Sequence, residues 1–261
     1  MKAPNWLWLC SLFLISFGSI SCHQKDVEKK HTVSEAIKDT TQVTREISYD
    51  TTHYQVAFLI MDGVYNTELT APYDIFQHTK IREGIRPMDV FTVAKTSEPI
   101  TTFEGLRIIP DFNYVKDSLP PIDILVVPSA EHHLDTDLED TTMLEFVKKT
   151  ATTAQFITSH CDGAFVLAQA GLLEGRVATT FPSDITLMQQ KFPNVDVRED
   201  VLWVHDGSYI TSAGGAKSFE AALYLCEFLY GKEIARSLAK GLVINWNVED
   251  YPHAVVDSPS L

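Results

Sequence analysis

Three short apolar runs constrain this chain most: residues 55–61 (QVAFLIM), 122–127 (IDILVV) and 155–159 (QFITS). Each is rich in Val, Ile and Phe, and residues 88–93 form a weaker fourth run. Strands apolar on both faces belong in a sheet covered on both sides, which is where parallel strands occur. Apolar residues at helical spacing fill the intervals, over 67–78, 140–150, 162–172, 183–192, 218–230 and 233–242. Gly231 follows the fifth of these as a helix stop. Strands alternating with helices predict an α/β fold, a doubly wound and mostly parallel sheet sandwiched by helices in a single domain. With 45% hydrophobic and 21% charged residues, the chain can fill such a core.

The domain is expected over residues 53–250, with 251–261 a loose C-terminal tail. Ahead of it, Lys2 precedes an uncharged apolar stretch from Trp6 to Ile20, too short for a membrane span of ~20 residues and suited to a signal h-region. The stretch ends in Gly18-Ser19-Ile20-Ser21-Cys22, which resembles a bacterial lipobox, with Ser19 where that pattern prefers Leu. Residues 1–21 are therefore read as a lipoprotein signal peptide and Cys22 as the lipidated residue. Residues 22–52, polar and without an apolar period, are read as a flexible tether. The expected location is the cell envelope, on a bacterial membrane through the lipid anchor alone.

A formal net charge of −14 and the lack of any basic patch argue against nucleic-acid binding. Of the four cysteines, Cys10 lies in the signal and Cys22 would be acylated. Cys161 and Cys226 remain, too few for a disulfide scaffold. Cys226 falls on the apolar face of 218–230 and is read as core filler. Adjacent His132 and His133 diverge too much to bind one metal, and no CxxC or HExxH pattern occurs, so neither a metal nor a cofactor is expected.

Residues 155–175, QFITSHCDGAFVLAQAGLLEG, carry the chemistry. An apolar strand runs into Ser159-His160-Cys161-Asp162-Gly163 and a helix starts at once. Such a turn lifts its middle side chain above the sheet edge, as a nucleophile elbow does. Gly163 lets the backbone pass closely beneath, and a helix N-terminus favours a thiolate. Locally, a nucleophile and a buried structural cysteine fit this pattern equally well.

The same segment resembles the cysteine elbow of the ThiJ/PfpI superfamily, of the class I glutamine-amidotransferase-like (flavodoxin-like) fold. The nearest branch is that of isonitrile hydratases and the sensor domains of AraC-type regulators. Gly63-Val64-Tyr65-Asn66-Thr67-Glu68-Leu69, the strand at 122–128, and Tyr209-Ile210-Thr211-Ser212-Ala213-Gly214 resemble three further blocks in order and spacing. The resemblance implies that Cys161 is the reactive cysteine and Glu68 its acidic partner. A partly buried Glu68 can stay protonated, donate to the sulfur and shuttle a proton. With the helix N-terminus, it is expected to lower the Cys161 pKa below the ~8.5 of a free thiol. Backbone N–H groups of Ser129, Ala130 and Asp162 are the candidate oxyanion or pocket donors.

Departures from the family pattern are specific. Ser129 and Ala130 stand where relatives often have Gly-Gly, and Phe181 where many have His. Asp162 replaces the His that follows the cysteine in the protease-like branch. His160 points to the opposite face of its strand from Cys161, which makes it a poor base. The resemblance implies addition or hydration of a small electrophile, of the isonitrile hydratase or glyoxalase/deglycase kind, and a homodimer. The alternatives are a non-catalytic small-molecule sensor or a redox-responsive, chaperone-like protein.

Overall fold

The computed structural model describes residues 49–257. The proposed signal peptide, Cys22 and nearly all of the tether lie outside the described residues. The strands are β1 (Tyr54–Leu59), β2 (Met88–Ala94), β3 (Ile100–Thr101), β4 (Arg107–Ile108), β5 (Phe112–Asn113), β6 (Ile124–Val127), β7 (Phe156–His160), β8 (Val177–Ala178), β9 (Asp196–Val197), β10 (Trp203–Asp206), β11 (Tyr209–Ser212) and β12 (His253–Asp257). The helices are α1 (Asn66–Gln77), α2 (Thr141–Thr150), α3 (Gly163–Gln169), α4 (Ile185–Lys191), α5 (Ser218–Tyr230) and α6 (Lys232–Gly241).

Eight strands form one sheet in the order β12-β10-β11-β7-β6-β1-β2-β5. Every pair is parallel except β10 with β11. The alternation of side chains explains the unbroken apolar runs. Along β1 and just beyond it, Val56, Phe58 and Ile60 enter one core with α1, α5 and α6, while Ala57 and Leu59 enter the other with α2, α3 and α4. The expected sandwich is thus present, with a buried apolar layer on each face.

The chain leaves β1 outward to β2 and later returns to β6 on the other side of β1. That reversal is a topological switch point, where ligands gather beyond the carboxyl ends of the strands. The loops after β1, β6 and β7 meet there. An antiparallel bridge between Val64 and Ala130 staples the first two together, with Tyr65 N–H donating to Ser129 O at 3.0 Å.

Two expectations are corrected. Residues 253–257 are not a loose tail: β12 pairs in parallel with β10, and the His253 ring stacks on the fully buried Trp203 at 4.8 Å. The aromatic contact and the ladder bonds fix a segment whose sequence has no strand-length apolar run. The helix expected over 162–172 stops at Gln169. Gly171 takes φ +76°, its N–H bonds Ala168 O, and Leu172 N–H bonds Leu167 O, a Schellman closure.

Candidate active site

Cys161 sits at the sharp turn from β7 into α3 with φ +53°, a left-handed conformation that a non-glycine residue holds only when its surroundings impose it. Two glycines make room for it. A Cβ on Gly163 would stand 2.1 Å from Val127 O, and one on Gly214 would stand 2.4 Å from Cys161 Cβ. Cys161 N–H donates to Ser212 O at 2.9 Å, which ties the elbow to β11. Cys161 is 6% exposed.

Glu68, in the first turn of α1, is brought to the same place from 93 residues away in sequence. Its carboxyl accepts from Ser129 N–H at 3.2 Å and Gly215 N–H at 3.0 Å, and it lies within hydrogen-bonding reach of the thiol. Burial raises its pKa; the Gly215 N–H, the thiol and the Ser129 N–H pull it back only in part. The sequence-derived pair is therefore assembled.

The expected depression of the thiol pKa is reversed. Burial, then the carboxyls of Glu68 and Asp162, push Cys161 well up; the Ser129 hydroxyl and the Asp162 N–H offset only part of this. The helix that was to favour a thiolate is only seven residues long, and its end charge is outweighed by burial and by the two neighbouring acids. Cys161 rests as a thiol. Cys226, fully buried, is also pushed up by burial.

The backbone donors expected of an oxyanion hole are largely committed. Ser129 N–H serves Glu68, and Ala130 N–H serves His133 Nδ1 at 3.2 Å. His133 is fully buried and held neutral, its pKa lowered by burial to about 3. Its other nitrogen lies 3.2 Å from Met61 Sδ. His132 points elsewhere, pairing with Asp135 at 3.3 Å. Among the described residues no group of three His, Cys, Asp or Glu side chains is placed to hold a metal. His160, buried on the opposite face, bonds Ser212 Oγ at 3.0 Å. Phe181 is 39% exposed, at the start of a short turn.

Three contributors escape sequence reasoning. Thr180 Oγ1 donates to Cys161 O at 3.1 Å and Asp162 Oδ1 at 3.2 Å, across a loop whose path one sequence does not fix. Tyr65, whose pKa is raised by burial and by the ionisable groups of the site, packs on Phe103 with ring centroids 4.7 Å apart. Gly214 lies inside a recognisable block, yet only the fold shows what it avoids. A cavity of about 410 Å³ adjoins this region, lined by Thr180, Pro182, Val201 and Ala213 among others. A second cavity, about 650 Å³, opens instead by the amino-terminal ends of β6 and β7, beside Tyr114 and Phe146, away from the thiol and both acids.

Residues 54–227 match the model of the DJ-1/PfpI family. An isonitrile hydratase of Pseudomonas putida is 30% identical over 182 residues, covering 70% of this chain and 75% of that protein. Protein dj-1beta of Drosophila melanogaster is 24% identical over 189 residues, covering 72% and 96%. Among solved structures, a ThiJ/PfpI family protein from Pseudomonas syringae aligns with a TM-score of 0.65 at 23% identity, covering 82% of this chain and 84% of that one. An AraC family transcriptional regulator from Pseudomonas putida aligns with a TM-score of 0.61 at 17% identity, covering 72% and 99%. These two likenesses concern the fold.

Proposed function

Because this chain belongs to the DJ-1/PfpI family, we propose that it is a cysteine-dependent hydratase of small electrophiles, with an isonitrile as the leading substrate class. The observation that carries this reading is the buried Glu68 carboxyl, raised in pKa and in reach of the Cys161 thiol. A carboxyl whose pKa is raised by burial beside a sulfur nucleophile suits addition chemistry, in which a carbon must receive a proton as the sulfur attacks. Acyl transfer asks instead for free oxyanion donors, and two of the three candidates here already serve internal acceptors.

The sulfur forms a bond to the terminal isonitrile carbon while its own proton passes to a carboxylate of the site. Glu68 gives a proton to the same carbon, leaving a thioimidate, R–N=CH–S–Cys161. Water then adds to that carbon, the C–S bond breaks with its electron pair returning to sulfur, and nitrogen takes a proton. The product is an N-substituted formamide, and Cys161 and Glu68 regain their starting protonation.

Incubation of the full chain with an aliphatic isonitrile, with the formamide read by mass spectrometry, tests this. Turnover lost in Cys161→Ala is the supporting result. Saturable binding of the isonitrile with no turnover by the unsubstituted protein would instead make the chain a binding module, the reading that its fold neighbours among AraC-type regulators favour.

A further inference from the structure

A resting thiol must lose its proton before or during attack, so the site needs a proton acceptor distinct from the acid that protonates the substrate. Glu68 is ill placed to serve as both. Its two oxygens are each fixed by a backbone N–H, and the addition step uses it as the donor. His160 is bonded to Ser212 on the far face of the strand, and His133 is turned toward Ala130 N–H and Met61.

The group in contact with the thiol is the Asp162 side chain. Cys161 Sγ–H donates to Asp162 Oδ2 across 3.6 Å, an ordinary distance for a thiol donor. The other oxygen, Oδ1, is held by the Thr180 hydroxyl at 3.2 Å, and that hydroxyl also reaches Cys161 O. Thr180 thus braces the carboxylate from one side while the thiol meets it from the other. Asp162 is 9% exposed, so bulk water competes little for its lone pairs.

We propose that the Asp162 carboxylate is the general base that takes the Cys161 proton as sulfur attacks, with Thr180 its positioning residue. This deepens the hydratase reading and rests on it. In this proposal Asp162 starts as the anion and Glu68 as the acid, and the two exchange roles when the thioimidate is hydrolysed, with Asp162 returning the proton to sulfur. Two acids with different surroundings can divide base and acid work in this way. Burial raises Asp162 to about 6, with the neighbouring Asp184 charge adding and the Thr180 and Cys161 bonds opposing. Tyr65 also feels the Asp162 charge. A base titrating there is anionic at neutral pH and basic enough to accept a proton in a transition state.

The test is the rate of iodoacetamide modification of Cys161 in the full chain, mapped by mass spectrometry, between about pH 5 and pH 9. The unsubstituted protein should show a rise near the Asp162 titration and a plateau above it. Asp162→Asn should lower that plateau by roughly 100-fold, the size of a lost general base. Thr180→Val should keep the plateau and move the midpoint to higher pH, because the hydroxyl that stabilises the anion is gone. Cooperative unfolding of each variant shows that it is folded. Asp162→Asn reacting as fast or faster overturns the proposal, since that is what removing a charge that merely repels a thiolate produces. If Asp162→Asn does not fold, Thr180→Val decides: an unmoved midpoint overturns the proposal. An inert Cys161 in the unsubstituted protein sinks the hydratase reading and this proposal together; the other failures leave the reading standing.

Discussion

Gly214 lies directly against Cys161: a Cβ built on it would stand 2.4 Å from Cys161 Cβ and 2.5 Å from Cys161 N. The clash is with backbone and with the nucleophile's own stem, neither of which can swing aside. Gly214 also holds φ +76°, so alanine there is strained regardless of space.

Gly214→Ala should therefore destabilise the protein by about 3 kcal/mol or more, or displace the elbow. Gly163→Ala, 2.1 Å from Val127 O, should be at least as severe. Gly171→Ala, with nothing within 4 Å, meets only its own φ +76° and should cost about 1 kcal/mol. Urea unfolding of the three variants checks this order.

Glu68 offers a separation of proton transfer from architecture. Glu68→Gln retains one carbonyl oxygen for the Ser129 or Gly215 N–H and can still donate to sulfur, but it delivers no proton. Turnover should fall by roughly 100-fold or more while Cys161 alkylation persists. Glu68→Leu strands both N–H groups in a buried site and should also cost about 2–4 kcal/mol of stability. Parallel measurement of formamide production, alkylation and thermal unfolding distinguishes the two variants.

Acid sensitivity should trace partly to Asp89. Burial raises its pKa, but Lys80 at 2.9 Å, His53 at 3.1 Å, the Asp50 N–H and Gln55 more than offset this and hold it at about 2. The folded pKa lies below the unfolded value, so the stabilisation is present above about pH 4 and is lost as pH falls toward 2. Asp89→Asn should cost about 1–2 kcal/mol at neutral pH, allowing for partial solvent screening, and nothing near pH 2. Chemical denaturation at the two pH values reads the difference.

Much of the fold was legible because its strands are buried on both faces and so print unbroken apolar runs. β1, β2, β6 and β7 all lie where those runs fall, and α5 spans Ser218–Tyr230 as the periodicity has it. β10 and β12 were not legible as strands. WVHD and HAVVD carry polar residues, and their places are set by pairing and by the Trp203–His253 stack, which are tertiary. At the site, the strand-turn-helix pattern singled out Cys161 but left a nucleophile and a structural cysteine even, and Glu68 came from the family likeness alone. The thiol's electrostatics were not. They depend on how deeply the turn is buried and on Asp162 curling back toward its neighbour, and neither distance nor burial is written in a one-dimensional pattern.

The envelope reading rests on residues outside the described part of the chain and stands as a proposal. Two or more acyl chains on Cys22 suffice for stable membrane attachment. The native protein should fractionate with membranes, and Cys22→Ala should release it or block its processing. Wild-type protein found wholly soluble, with its mature N-terminus elsewhere, would remove the lipid anchor.

The stability of Asp162→Asn provides a separate check on the charge state of the site. A carboxyl whose folded pKa is about 6 lies above its unfolded value of 3.8. Between those values the folded state binds the proton more tightly, so folding is progressively disfavoured as pH rises through that window. Above it the protein carries a buried anion at a cost on the order of 2–3 kcal/mol. Asparagine avoids that cost and keeps a carbonyl oxygen for the Thr180 hydroxyl. The variant should therefore unfold several degrees higher than the unsubstituted protein at pH 7 and at the same temperature near pH 4. Raised thermal stability together with slowed alkylation is the joint signature of a residue retained for proton transfer at the expense of folding. Lowered stability at pH 7 would mean that Asp162 is ionised at no cost, and too weak a base to draw the thiol proton.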